Sequence, residues 1–430
     1  MNIVRTFLLI APCFAPQATV AAYRWVKLAR HIVEQGYRPV VLCGTFPDDS
    51  RDPGLTNALP ADVVTVDEYL DERILPISRV VLSRAAKRVA EAVRPTEGLR
   101  PFQSLGDRYV PHALHASRVA ADVARTFGAE AVVVSAGPFS AVPVAFYVGR
   151  KLGLPVVLDF RDPFGLHESS TESRRNIGGR LRERIVMAAE RSWMKHAAHV
   201  VLNTRNALDA YQKQYPIIAS KSSFIRNHYD VGLYDPVPAT VDPPSRFTIL
   251  HTGTLRAETR LDDIGAALRI LIDRNKLEPD QIVLRQIGRT SEYERAQIRS
   301  MGLERFVEVV SPIPQCQISS ELRRSHVLLS MVDPRVRLRI AAKTYDYIAS
   351  GMPIVSVTEN AEVDELLAHR RDNVRLRPGD VDGLVAALSR HLDRFRQTGA
   401  WPTPVEPPRE FSSEMAAERF ADVLRACILR

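Results

Sequence analysis

The sequence has little that would tie it to an oxidising compartment, a bound metal or a membrane interior. Its four cysteines, Cys13, Cys43, Cys316 and Cys427, lie far apart and show no C-x-x-C spacing. That pattern excludes a disulfide framework and a zinc knuckle, and it reads as reduced thiols in a cytosolic protein. No apolar run reaches the roughly 18 residues that a bilayer-spanning helix needs. Aromatic residues make up only 7% of the chain, and no basic run interleaved with aromatics appears, which argues against nucleic acid as a partner. The opening MNIVRTFLLIAPCFAP has one arginine before an apolar stretch, but Phe7–Ala11 is too short for a secretory core. Pro12 before Cys13 also spoils a lipoprotein cleavage site, so a first buried strand is the expectation there. Asp-x-Asp, a metal-binding spacing, occurs only as Asp380-Val-Asp382 ahead of a helix, where either aspartate reads as the N-cap.

What is present is an ordinary globular composition over 430 residues, 45% hydrophobic and 25% charged, long enough for two or three domains. The formal charge of +8 is spread along the chain, a balance suited to nucleotide phosphates, a lipid diphosphate or an anionic membrane surface. Short apolar runs alternate with amphipathic helical patterns. FLLIA is followed by a proline-rich turn and then YRWVKLARHIVEQG. There Trp25, Leu28, Ala29, Ile32 and Val33 share a face, and Gly36 supplies the stop. The runs PVVLCG, AEAVVVSAG, LPVVLDF and HVVLNT predict strands buried on both faces of a parallel sheet. The segment 235–245, DPVPATVDPPS, has the composition of a linker. A second α/β series follows through FTILHTG, IVLRQIG, FVEVVS, HVLLSMV and PIVSV. The pattern predicts an α/β chain of two Rossmann-like domains whose parallel sheets face across a cleft. The expected boundaries are 1–235 for an N-terminal domain and 236–246 for the linker. A C-terminal domain spans 247–408, and a final helix over 409–430 packs back on the first domain.

Three places attract chemistry, because ligands of open α/β sheets sit beyond the carboxyl ends of strands, where loops meet helix N-termini. In HTGTLRAETRLDD, Gly253 permits a tight turn and Arg256 and Arg260 follow; free N–H groups and guanidinium there suit a diphosphate, against two solvated surface arginines. In RIAAKTYDYIASGMP, Lys343 and Asp346 share one helix face. The lysine can neutralise phosphate and the carboxylate can accept from two ribose hydroxyls, against a simple surface ion pair. In VVLDFRDPF, Asp159, Arg161 and Asp162 form a charge triplet that is either used in function or paired structurally to brace its loop.

These strings, in the order APCFAPQATVAAYRWVKLARHIVEQGYRPVVL, SAGPFS, LDFRDPF, VVLNT, IRNHYD, HTGTL and AAKTYDYIASGMPIVSV, resemble retaining GT-B glycosyltransferases of the group 1 (family 4) type, especially those of bacterial surface-polysaccharide assembly. The resemblance implies transfer of a sugar from a nucleotide-sugar donor to a saccharide or lipid-diphosphate-linked acceptor, without metal or other cofactor. It implies Lys343 on the donor diphosphate, Asp346 on the ribose and Arg260, with Arg256 second, on phosphate. Arg161 joins Lys343 and Arg260 as a candidate catalytic group. Gly253, Thr254, Tyr345 and Arg339 complete the donor set, and Thr19, Arg24, Gly137, Ser140 and Asp162 the acceptor set. The chain departs from the family at several positions. Ala18, Thr19, Val20 and Ala21 occupy a loop that is usually glycine-rich, Leu338 stands where a glutamate is usual, and Arg161 replaces a histidine. Recognition of the sugar hydroxyls then falls to Arg337 or Arg339. Basic segments at 77–94 and 174–195 raise the expectation of peripheral attachment to the inner face of the cell membrane. The rival expectations are a sugar-nucleotide epimerase or phosphorylase on the same fold, or a non-catalytic partner subunit.

Overall fold

In the computed structural model the described residues are 4–74, 107–166, 177–235, 245–255, 261–333, 335–399 and 401–429, with 177–182 as backbone only. They divide into two compact units, one of residues 1–227 with 413–430 and the other of residues 228–412. The apolar runs become parallel strands because aliphatic side chains on both faces can be buried only between two layers of helix.

In the first unit, β1 (Arg5–Ile10), β2 (Tyr37–Leu42), β3 (Val64–Val66), β4 (Ala131–Ala136), β5 (Val156–Phe160), β6 (His199–Leu202) and β7 (Ser222–Phe224) form one sheet. Its order is β3-β2-β1-β4-β5-β6-β7 and every pairing is parallel. The helices are α1 (Val20–Ile32), α2 (Pro53–Asn57), α3 (Ala113–Thr126), α4 (Ala141–Leu152), α5 (Ile177–His196) and α6 (Arg205–Gln214). α1 starts where the Thr19 hydroxyl accepts the Ala22 N–H, and Gly36 takes a positive φ of 81° in the turn to β2. Of the apolar set read from the sequence, Trp25, Leu28, Ala29 and Ile32 are fully buried in the core face of α1, whereas Val33 is its C-cap and only half-buried.

In the second unit, β8 (Phe247–Thr252), β9 (Ile282–Ile287), β10 (Val307–Val310), β11 (Val327–Met331), β12 (Ile354–Val357) and β13 (Val374–Leu376) are ordered β10-β9-β8-β11-β12-β13, again all parallel. α7 (Leu261–Asn275), α8 (Glu292–Ser300), α9 (Gln315–Arg323), α10 (Lys343–Ser350) and α11 (Val363–Leu367) connect the strands, and α12 (Val381–Thr398) follows β13. Asp380 is the cap of α12, accepting from the Gly383 N–H, while Asp382 lies in its first turn. The chain then re-enters the first unit as α13 (Ser413–Ile428), which packs on α1 with the Phe420 ring 4.8 Å from that of Trp25.

In each sheet the strand order reverses once, between β1 and β4 and between β8 and β11. Those two reversals fix where ligand sites belong, because the loops leaving the strands on either side diverge and open a crevice at the carboxyl edge. The expected linker at 236–246 lies, but for its last two residues, outside the described residues, as does the basic segment 77–94.

Candidate functional site

At the reversal in the second unit, β8 ends in His251-Thr252 and turns at Gly253, whose φ is +103°. β9 ends in the matching place with Gln286-Ile287 and turns at Gly288, φ +141°. A Cβ on Gly288 would sit 2.1 Å from the Gly253 carbonyl oxygen, so the two turns touch backbone to backbone and no side chain fits between them. Over this turn comes Lys343, the first residue of α10. Its Nζ lies 2.5 Å from His251 Nε2 and donates to the Thr252 carbonyl at 3.2 Å. One helical turn on, Tyr347 accepts from the Thr252 N–H at 2.8 Å and from the Thr252 hydroxyl at 3.2 Å, and donates to the Leu329 carbonyl. These bonds pin the start of α10 to β8 and β11, each contributing on the order of 1 kcal/mol.

The hydrogens of this network follow from amide polarity. Gln286 Nε2 donates to the Gly253 carbonyl at 2.7 Å, which turns its Oε1 toward His251 Nδ1. That oxygen only accepts, so Nδ1 carries the hydrogen and Nε2 is left bare to accept from Lys343. Burial, and then the charge of Lys343, push the His251 imidazole well below its usual range, against the opposing hydrogen bond to Gln286, so the ring is neutral. Burial also pushes the Lys343 ammonium down to about 7. Among the described residues, its amine meets only uncharged acceptors. When protonated, an amine so held has no ion pair to give up to an arriving anion, and anion binding in turn favours that protonated form.

Asp346, one turn into α10 and half-buried, accepts from the Tyr234 hydroxyl at 2.7 Å through Oδ1. Burial, then the Asp346 charge, push the Tyr234 phenol well above its ordinary range, so it stays a donor and orients the carboxylate. Gly253 and Thr254 are exposed in the turn, and Arg339 is half-buried in the loop between β11 and α10, its carbonyl accepting from Asn360 Nδ2. Tyr345 belongs to the expected donor set. It is fully buried in the core with Tyr347, Ile348 and Leu328, its ring 6.5 Å from Phe411, because it lies on the opposite side of α10 from the turn. Arg256 and Arg260 lie outside the described residues.

At the reversal in the first unit lies Arg24, of the expected acceptor set. It is buried, and all five guanidinium N–H groups are used: Nε and Nη2 on the two oxygens of Asp159 at 2.9 and 2.8 Å, the rest on the carbonyls of Ile225 and Arg226 and on Asn227 Oδ1. Asp159 also accepts from Trp25 Nε1. The charge triplet of LDFRD therefore splits. Asp159 braces α1 and the loop before Tyr229, whereas Arg161 pairs with its neighbour Asp162 at 2.9 Å, both partly exposed beyond β5. Gly137, φ +119° after β4, lies beside Arg161, since a Cβ there would come 3.4 Å from Nη2. Ser140 gives its hydroxyl and N–H to Asp107 at 2.6 and 3.0 Å. Thr19 is the α1 cap, so its hydroxyl oxygen already accepts a backbone N–H.

His251, Gln286, Tyr347, Tyr234, Gly288 and Asp107 escaped the sequence reading. A signal existed for two of them. In both HTG and QIG a polar residue stands two before a glycine near the end of a mostly apolar strand, and the parallel register sets His251 directly opposite Gln286.

Residues 246–394 match the family described as Glycosyl transferases group 1. No curated protein matches the chain by sequence. Among solved structures, the chain is similar to the sucrose-phosphate synthase of Thermosynechococcus elongatus, at 13% identity and TM-score 0.65 over 98% of both chains. It is similar also to Anabaena HepE in complex with UDP-glucose, at 13% identity and TM-score 0.62 over 98% of this chain and 99% of that one. A third is WaaG, a glycosyltransferase involved in lipopolysaccharide biosynthesis, at 12% identity and TM-score 0.58 over 97% and 95%. Each unit thus has a Rossmann-like parallel sheet, the pair of them makes the α/β fold of the GT-B type, and the unit that carries Lys343 and the paired glycine turns is the one with the sequence signature of the group 1 glycosyl transferases.

Proposed function

We propose that this chain transfers a sugar from a nucleotide-sugar donor to a saccharide or lipid-linked acceptor with retention at the anomeric carbon. The observation that carries this reading is Lys343, whose amine among the described residues is held by neutral acceptors alone, at the strand-order reversal of the group 1 segment. The backbone of the Gly253 turn and the Lys343 ammonium hold the donor diphosphate; Asp346, oriented by Tyr234, accepts from the ribose hydroxyls. Arg256, Arg260 and Arg339 add positive charge on the donor side. In the first unit Gly137 and the Arg161–Asp162 pair contact the acceptor.

In the reaction the bond between the anomeric carbon and the diphosphate oxygen breaks first, leaving oxocarbenium character on the sugar and growing charge on the diphosphate. Lys343 meets that charge, the type of stabilisation that contributes most at such sites. The acceptor hydroxyl attacks from the face the diphosphate leaves, and its proton passes to the departing phosphate oxygen, so this step needs no enzyme nucleophile and no metal. The likeness to WaaG supports a place in cell-surface polysaccharide or lipopolysaccharide synthesis, at the inner face of the membrane. Among the described residues no helix is long and apolar enough to cross one.

Calorimetric titration of UDP, GDP and dTDP, followed by their sugar conjugates in a nucleotide-release assay with candidate acceptors, tests the reading. Wild type binds one of the three, and Lys343→Ala lowers kcat/KM by at least a hundredfold, corresponding to about 3 kcal/mol. Unaltered turnover in Lys343→Ala, or no binding of any nucleotide, sinks it. Conversion of the sugar nucleotide to its epimer without an acceptor and without nucleotide release, or cleavage of a glycosidic bond only with inorganic phosphate, assigns the chain instead to epimerisation or phosphorolysis.

A further inference from the structure

We propose that His251 and Gln286 are positioning residues for Lys343: Gln286 fixes which ring nitrogen of His251 carries the hydrogen, and the bare nitrogen holds the lysine amine over the Gly253 turn without cancelling its charge.

Three observations meet here. The parallel pairing of β8 with β9 sets His251 opposite Gln286, and both are almost completely buried, so neither side chain can turn to solvent for another partner. The polarity of the Gln286 amide is anchored by the Gly253 carbonyl, a group of the very turn that Lys343 overhangs. Among the described residues the amine has two acceptors, the His251 ring nitrogen and the Thr252 carbonyl, both uncharged. A carboxylate at position 251 would hold the lysine equally well but would consume its charge in an ion pair. An apolar residue there would leave charge intact but let the long side chain wander, at the cost of rotamer freedom when a ligand binds. A histidine of fixed tautomer satisfies both demands. The ligand, a diphosphate, rests on the function proposed above; the relay itself does not.

The ring can be dissected because the two amide residues mimic its nitrogens separately. Asn at 251 presents an N–H near the place of Nδ1 and nothing to the lysine, whereas Gln at 251 presents an oxygen near the place of Nε2. Wild type, His251→Asn, His251→Gln and Gln286→Leu, checked for equal folding by circular dichroism, are titrated with whichever of UDP, GDP and dTDP the wild type binds. His251→Asn and Gln286→Leu weaken binding about tenfold, and His251→Gln about twofold. In the His251→Gln background Gln286→Leu adds little, because no tautomer is left to fix. The second readout needs no nucleotide. The chain has eight lysines, so the Cε–Hε signal of Lys343 in 13C-lysine-labelled protein is assignable by its loss in Lys343→Arg. It is one sharp peak in wild type and His251→Gln, and it broadens or splits in His251→Asn and Gln286→Leu. The relay is overturned if Lys343→Ala abolishes nucleotide binding while His251→Asn and Gln286→Leu bind as wild type and keep the single peak. If the wild type binds no nucleotide, the functional reading fails and the lysine signal alone decides the relay.

Discussion

Charged residues of this chain are used in two opposite ways, and burial with its partners separates them. Among the described residues the Lys343 amine meets only neutral acceptors, so its charge, once protonated, is available to a ligand. Arg24 spends all of its hydrogen-bonding capacity on Asp159 and three backbone or amide oxygens. Both side chains of that ion pair are essentially inaccessible to water. Removing the guanidinium alone strands a buried carboxylate, so Arg24→Met destabilises the protein by about 3–5 kcal/mol, read from urea unfolding, whereas Asp159→Leu in the same background recovers part of the loss. A residue involved in binding acceptor would instead change KM with stability intact. The role of Arg24 was beyond a sequence reading, because its partner is 135 positions away and only the fold makes them neighbours. The same holds for His251 and Gln286: each stands before a glycine, yet their meeting depends on strand register, which composition does not specify. Lys343 and Asp346 were visible because their spacing is local to one helix.

Among the elements, the long apolar runs announced themselves. β4, β5, β8 and β11 are wholly buried, and continuous aliphatic runs have few other structural uses. β3 and β7 went unseen; each has three residues of mixed polarity, is only half-buried, and lies at an edge of its sheet. The loop after β5 owes its form to a helix some way downstream. Glu190 of α5 is fully buried and accepts from the Gly165 N–H at 2.9 Å and from the hydroxyls of Tyr211 and Tyr215 at 2.6 and 2.7 Å. Burial nevertheless raises its carboxyl above the ordinary range, the three hydrogen bonds acting against it. A carboxyl whose folded pKa is raised contributes stability that is complete below its unfolded pKa and is lost as pH rises through the folded one. Glu190→Gln, which keeps an acceptor for Gly165 and Tyr211, therefore gains on wild type as pH climbs from about 4 toward neutrality, where the unfolded carboxyl ionises first. Urea midpoints of both proteins across that range check the sign, and parallel curves refute it.

On the scale of the whole molecule, the first unit is completed by a helix that comes after all of the second. α13 covers α1 through Phe420 against Trp25, both fully buried. Phe420→Ala opens a cavity beside the largest side chain of that core and costs about 3–5 kcal/mol. The loss belongs to the first unit: amide exchange quickens in β1 and α1 and stays unchanged in β8 and β11, measured by mass spectrometry of peptides. The polypeptide enters the second unit at His228 and leaves it at Ser412, so the second unit is a continuous stretch and the first is not. On a ribosome the halves are therefore finished in the reverse of the order in which they are begun. The later unit is whole once residue 412 has emerged, while the sheet started by β1 waits, its Trp25 face uncovered, for the helix made after it.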